Sequence, residues 1–193
     1  DLSREKDKPV FVFCEDVAAS GGYWIALAGN EIHANPSSII GSVGVVSAGF
    51  GFEEAIAKLG IERRLYATGS KKGMLDPFQA EDPEHVSHLR TLQGDIFERF
   101  KAWVRERRGA RLKGDADELF SGAFWTGSKA LELGLIDGLG DMRTVMRERY
   151  GDSVRFRVHG PREGLLKRLG LRPGGFLANA DSTGGWASGW ADE

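Results

Sequence analysis

The chain has 193 residues, 26 basic and 28 acidic, for a net charge of −2, and 41% of its residues are hydrophobic. So even a balance excludes a broad electrostatic attraction to nucleic acid or anionic lipid, and the composition is that of an ordinary globular protein of one domain, or one domain and a tail. A single cysteine, Cys14, excludes an internal disulfide and a cysteine-based zinc site, and no apolar run approaches the roughly 18 residues of a membrane helix.

In chain order, residues 1–8 are polar and charged, without the apolar run of a signal peptide. The Val- and Phe-rich run Lys8–Cys14 predicts a buried strand that arrives almost at once, as in a chain beginning inside a larger protein. The small-residue stretch Asp16–Gly22 feeds a helix over Tyr23–Ala28 that ends at Gly29. Strands are expected at Glu31–Ala34, Gly41–Ser47 and Ile61–Ala67, with a helix at Phe52–Leu59 closed by Gly60. Asp82 and Pro83 open a long amphipathic helix, because Val86, Leu89, Leu92, Ile96, Phe97, Phe100, Trp103 and Val104 recur at three- and four-residue spacing. Short helices follow at Ala116–Phe120, Ser128–Leu133 and Met142–Tyr150, with Ala123–Thr126 extended and Val154–Val158 an edge strand. Strands alternating with helices argue for an α/β fold with a largely parallel sheet flanked by helices. We take residues 1–177 as the folded domain and 178–193, rich in Gly, Ser and Trp, as a mobile tail.

The residues that carry chemistry centre on Ala18-Ala19-Ser20-Gly21-Gly22. A nucleophilic hydroxyl needs a sharp turn, small neighbours that admit substrate, and N–H donors nearby, which a helix N-terminus supplies. The competing reading is that Ser20 simply caps the helix, and on this pentapeptide alone capping serines outnumber nucleophiles. None of the four histidines, His33, His85, His88 and His159, has an evident Asp partner in a matching setting, so no Ser-His-Asp triad is supported. His85 and His88 on one helix, without a third ligand, do not make a metal site. Lys71 and Lys72 occupy a glycine-flanked loop, and composition alone reads them as solvated.

Beyond these local features, Asp16-Val-Ala-Ala-Ser-Gly-Gly-Tyr-Trp-Ile-Ala resembles the nucleophile motif of the signal peptide peptidase A family of serine peptidases, including its SohB-like branch. Ile32 to Val46, the loop carrying Lys72, Met74, Asp76 and Pro77, and Phe124 to Asp137 are similar to later segments of that family, in the same order. The resemblance runs from about Pro9 to Tyr150 and implies a crotonase-like (ClpP-like) fold that cuts peptide bonds without ATP, metal or other cofactor. It implies Ser20 as nucleophile, Lys72 rather than Lys71 as general base, Ser42 as a residue supporting the lysine, and the Gly21 backbone N–H as an oxyanion donor. It also implies hydrophobic peptides such as released signal peptides as substrates, a homo-oligomer, and attachment to a cell-envelope membrane through a segment absent from this chain. No nucleic-acid partner is expected.

Family members carry an upstream strand and a Gly-Gly turn that supplies a second oxyanion donor, and this chain starts just before the strand leading to Ser20. Loss of one such donor costs on the order of a hundred- to a thousandfold in rate, so the chain by itself is expected to be weakly active or inactive. The alternative is a non-catalytic oligomeric scaffold of the same fold that binds unfolded or hydrophobic peptides. An acyl-CoA enzyme on the crotonase fold is a third reading, and it gives the serine and lysine no role.

Overall fold

In the computed structural model, residue 6 and residues 8–159 are described. They form a compact unit that extends to Val154; residues 155–159 belong to a second unit and take no regular secondary structure. The tail expected at 178–193 lies outside the described residues.

The first half of the unit is a strand-rich layer. β1 (Phe11–Cys14), β2 (Val17–Ala19), helix α1 (Gly21–Ala26), β3 (Glu31–Ala34) and β4 (Ile39–Gly41) follow in quick succession. α2 (Glu53–Lys58) and the long α3 (Pro83–Arg108) come next, then a 3-10 turn at Gly109–Arg111. α4 (Ala116–Leu119), β5 (Phe124–Thr126), α5 (Gly127–Glu132), β6 (Gly138–Leu139) and α6 (Met142–Tyr150) complete it. The strands make two three-stranded sheets, β1-β3-β6 and β2-β4-β5. Every pairing is parallel except β4 with β5, so the expected parallel α/β character holds.

The core sits where α1 and α3 cover the strands. Tyr23, Leu27, Ile32, Ile40, Val43, Phe100, Val104, Leu135 and Ile136 are all buried there. Burial pushes the Tyr23 phenol up, and its hydroxyl donates to the Leu135 carbonyl at 2.7 Å. α3 starts as its sequence predicts, with the Asp82 carboxylate accepting from the Glu84 N–H at 2.8 Å and Pro83 in the first turn. Its C-terminal half supplies the buried Phe100 and Val104, whereas Leu92 and Ile96 nearer its start stay exposed.

Arg108 and Asp137 make the polar tie of this core. Arg108 donates to Asp137 at 2.7 and 3.0 Å and to the Gly134 carbonyl at 2.8 Å; Arg111 adds a further bond to Asp137 at 2.8 Å. The Ile32 N–H donates to the same carboxylate at 2.8 Å, linking β3 to the segment before β6. Burial works against the Asp137 charge, but the bonds from Arg108 and Ile32 outweigh it and hold the carboxyl below its ordinary range. Gly134 is required here, because it has φ +75° and an added Cβ would collide with the Arg111 carbonyl.

Three expected strands do not form as read. The ladder expected at Gly41–Ser47 is instead Ile39–Gly41, because Gly41 (φ 102°) and Ser42 (φ 54°) turn the chain out of extended geometry. Ile61–Ala67 finds no neighbouring strand among the described residues, and Ile61, Leu65 and Tyr66 are exposed at 55, 39 and 90%. Strand-prone residues without a partner ladder do not hold a strand. Val154–Val158 likewise joins no ladder among the described residues. β1 begins three residues later than read, the short strands β2 and β6 are not among those expected, the other elements shift by a residue or two, and α6 is Met142–Tyr150 as read.

Candidate active site

Ser20 stands at the step from β2 into α1. Its N–H donates to the Gly41 carbonyl at 2.7 Å, and its own carbonyl accepts the first helical bond from Trp24 at 2.9 Å. Between those anchors the residue is forced to φ 51°, ψ −119°, a conformation that L-residues rarely adopt and that costs on the order of 1–3 kcal/mol. Ser20 occupies the N-cap position, yet its side chain makes no capping bond. The capping reading therefore does not account for this serine. Its residue surface is exposed, and an added Cβ on Gly21 or Gly22 would meet nothing within 4 Å. Packing requires neither glycine. What they do is leave open ground beside the hydroxyl, with first-turn N–H groups that have no helical acceptor.

Ser42 comes to the same place by register. β2 and β4 run parallel with Ala19 opposite Gly41, so Ser20 and Ser42 are the next residues on neighbouring strands. Both follow the carboxyl ends of their strands, the usual position for sites in parallel α/β sheets. Gly41 allows this with φ 102°, and a Cβ there would lie 2.7 Å from the Trp125 ring. The Ser42 N–H donates to the Ala123 carbonyl at 2.7 Å, fixing the turn from the other side.

α1 is held from behind by α3. Arg107 donates to the carbonyls of Leu27 and Gly29 at 2.7 and 2.6 Å, satisfying the C-terminal end of α1. Trp24 stacks on Phe100 with ring centroids 4.5 Å apart. Sequence reasoning missed Arg107, and nothing local marks it, since its partners lie about 80 residues away.

Lys72 is placed differently. It lies exposed in a run of turns, with its backbone N–H bonded to the Gly69 carbonyl at 3.1 Å. Lys71 is engaged elsewhere, its ammonium 2.9 Å from Glu84 in the first turn of α3. Among the described residues no hydrogen bond joins Lys72 Nζ to Ser20 or Ser42 within the single chain. The structure thus brings Ser20, Gly21 and Ser42 together and leaves Lys72 facing solvent. Two of the histidines lie beside other carboxylates: His33 is buried in β3 at 3.3 Å from Glu31, and His85 lies 4.0 Å from Asp82. Among the described residues no group of three or more His, Cys, Asp or Glu is placed to hold a metal, and no helix is long and apolar enough to cross a membrane.

Comparison with known proteins gives the family. The family model described as Peptidase family S49 matches residues 3–152. A Na(+)/H(+) antiporter NhaA of Brucella abortus (strain 2308) is 58% identical over 168 residues, covering 87% of this chain and 23% of that protein. The chloroplastic serine protease SPPA of Arabidopsis thaliana is 32% identical over 139 residues, covering 70% of this chain and 20% of that protein. The chain thus spans less than a quarter of either relative, and the antiporter name is that of a protein lying mostly outside the match. A solved structure of a mutant 1510-N membrane-bound stomatin-specific protease, in complex with a substrate peptide, aligns with TM-score 0.40 and 17% identity over 75% of this chain and 53% of that one. The chain belongs to peptidase family S49, the signal peptide peptidase A family, and shares its ClpP-like α/β fold.

Proposed function

We propose that the protein is a serine endopeptidase that cleaves hydrophobic peptides such as released signal peptides, with Ser20 as nucleophile and Lys72 as general base. The observation that carries this reading is the backbone of Ser20: a strained, exposed serine whose hydroxyl caps nothing, beside two glycines that packing does not require. Strain of this kind persists where the surrounding structure imposes it, and a reacting group is a frequent reason.

The chemistry is acyl transfer. Neutral Lys72 accepts the Ser20 hydroxyl proton as Oγ attacks the scissile carbonyl carbon. The oxyanion that forms is met by the Gly21 N–H. The lysine returns its proton to the leaving amine as the C–N bond breaks. Water then attacks the Ser20 ester, yielding the carboxylic acid and restoring the hydroxyl. Ser42, next to Ser20 in register, supports the lysine.

Since Lys72 is solvent-facing in the single chain, an assembled state has to pair it with a Ser20 hydroxyl. We include a homo-oligomer in the proposal. It is supported by the apolar surface that flanks the lysine segment, with Val46 87%, Phe50 80%, Leu59 73% and Tyr66 90% exposed. That surface equally suits the scaffold reading, in which apolar peptides bind without being cut. Attachment to a cell-envelope membrane, through a part of the protein outside these residues, rests on the family resemblance alone.

Turnover of an internally quenched apolar peptide by the natural-length protein separates the readings. Ser20→Ala is expected to lower kcat by 10⁴-fold or more and Lys72→Ala by a comparable factor. The wild-type rate should rise with pH, because only the neutral amine accepts a proton. Undiminished turnover in Ser20→Ala refutes the serine mechanism, and binding without turnover in the wild type favours the scaffold.

A further inference from the structure

The end of α1 away from Ser20 depends on a single side chain. The N–H groups of Leu27, Ala28 and Gly29 still close onto the helix, at 3.0 Å each. Their carbonyls meet no backbone donor among the described residues. Arg107 serves all three. Its Nε donates to Leu27 at 2.7 Å, and its Nη2 donates to Gly29 at 2.6 Å and to Ala28 at 3.4 Å.

No opposite charge competes for this guanidinium. Arg108 and Arg111 share Asp137, whereas Arg107 pairs with no carboxylate among the described residues. It lies 5.4 Å from the centre of the Trp103 ring, and Trp103 Nε1 donates to the Trp24 carbonyl at 3.4 Å. Residues one turn apart on α3 therefore hold carbonyls within α1 and just past it.

Ser20 stands at the other end of the same short rod. α1 has six residues, about 9 Å at 1.5 Å per residue, so its two ends move together. A conformation as strained as that of Ser20 persists only where its surroundings impose it. On the strand side the Gly41 carbonyl does so, through the Ser20 N–H. On the helix side Gly21 and Gly22 contribute no packing, since a Cβ on either would meet nothing within 4 Å. The restraint has to come from further along α1. Tyr23 and Trp24 pin its middle to Leu135 and Phe100, and Arg107 pins its end.

We propose that Arg107 is a positioning residue for the nucleophile, keeping Ser20 in its strained conformation and the Gly21 N–H in place by holding the far end of α1. The proposal rests on the assignment of Ser20 as nucleophile. Without the guanidinium, the carbonyls of the buried Leu27 and Gly29 must turn to water. α1 shifts to let them, and the shift reaches Ser20 and releases its strain. Arg107 itself bonds at the opposite end of α1 from the hydroxyl, so its loss weakens the chemical step rather than peptide binding. Lysine is a poor substitute, because a single ammonium lacks the planar fork that meets Leu27 and Gly29 together.

The test compares natural-length wild type, Arg107→Ala and Arg107→Lys at a temperature well below the Tm of each. Arg107→Ala is expected to lower kcat for an internally quenched apolar peptide by about ten- to a hundredfold, with KM changed by less than about twofold. Fluorophosphonate labelling should slow by a similar factor, and Arg107→Lys should fall between the two. Added guanidinium ion at millimolar concentration should speed labelling of Arg107→Ala by about threefold or more and leave the wild type unchanged. Should Arg107→Ala fail to fold, the kcat and KM of Arg107→Lys decide alone. A lowered Tm with wild-type kcat and labelling, or a raised KM with kcat unchanged, overturns the positioning role. Absence of wild-type labelling instead removes the serine assignment, and this proposal with it.

Discussion

The serine side and the lysine side of the candidate site are built in opposite ways. Ser20 is fixed on β2 and α1 by bonds to Gly41, Trp24 and, through the end of α1, Arg107, over a core that includes Tyr23, Leu27, Phe100 and Val104. The stretch from Val46 to Glu84 contains α2, none of whose residues is buried, and carries surface pairs such as Arg64 with Glu62 at 2.8 Å and Lys71 with Glu84 at 2.9 Å. Pairs this exposed contribute about 0–1 kcal/mol each. The candidate nucleophile is therefore held firmly within one chain, whereas the segment carrying its proposed base keeps apolar side chains exposed. The contrast places the strained backbone at the serine and the exposed apolar surface beside the lysine.

The largest stability effect expected from that contrast lies in the rigid region. Asp137→Ala leaves the Arg108 guanidinium, whose side chain is 2% exposed, without its counter-charge, and urea unfolding should show a loss of about 3–5 kcal/mol. The same carboxylate sets an acid limit. Its folded value is lowered, so its contribution is fully present above its unfolded value of about 3.9 and is lost as pH falls through the lower folded value. Stability measured from pH 7 down to pH 2 should fall less steeply below about pH 4 in the variant than in the wild type. An intermediate effect, of opposite sign, belongs to Ser20. Ser20→Gly removes the hydroxyl and relieves the strained backbone, so it should abolish turnover while stabilising the fold by about 1 kcal/mol. Destabilisation by that change would mean that the serine serves the fold. The smallest effect is expected in the lysine-side segment, where Tyr66→Ser should change the stability of the isolated chain by no more than about 0.5 kcal/mol. If the segment is an assembly surface, the same change should lower the oligomer's mass in analytical ultracentrifugation.

What the sequence made legible divides along the same line. Elements fixed by local signals were readable: α3 from Asp82, Pro83 and its apolar spacing, and the placing of Ser20 between a strand and a helix. Elements that depend on a distant partner were not. The strand expected at Ile61–Ala67 has the right composition but no neighbour, and β4 ends early because Gly41 and Ser42 take positive φ. Within the site, a motif resemblance pointed to Ser20, Ser42 and Gly21, and the structure gathers these three. The strain at Ser20, the register that sets Ser42 beside it, the Arg107 clamp and the Arg108–Asp137 tie arise only once remote segments meet, and no local pattern encodes them. Lys72 came from resemblance alone, and its exposed loop adds no contact that would single it out within one chain.

Mass mapping of a fluorophosphonate adduct on the natural-length protein tests the central claim most directly. A single adduct on the peptide containing Ser20, formed more slowly when Lys72 is changed to Ala, is the predicted result. An adduct on another residue, or none under conditions where the protein cleaves peptide, would contradict it.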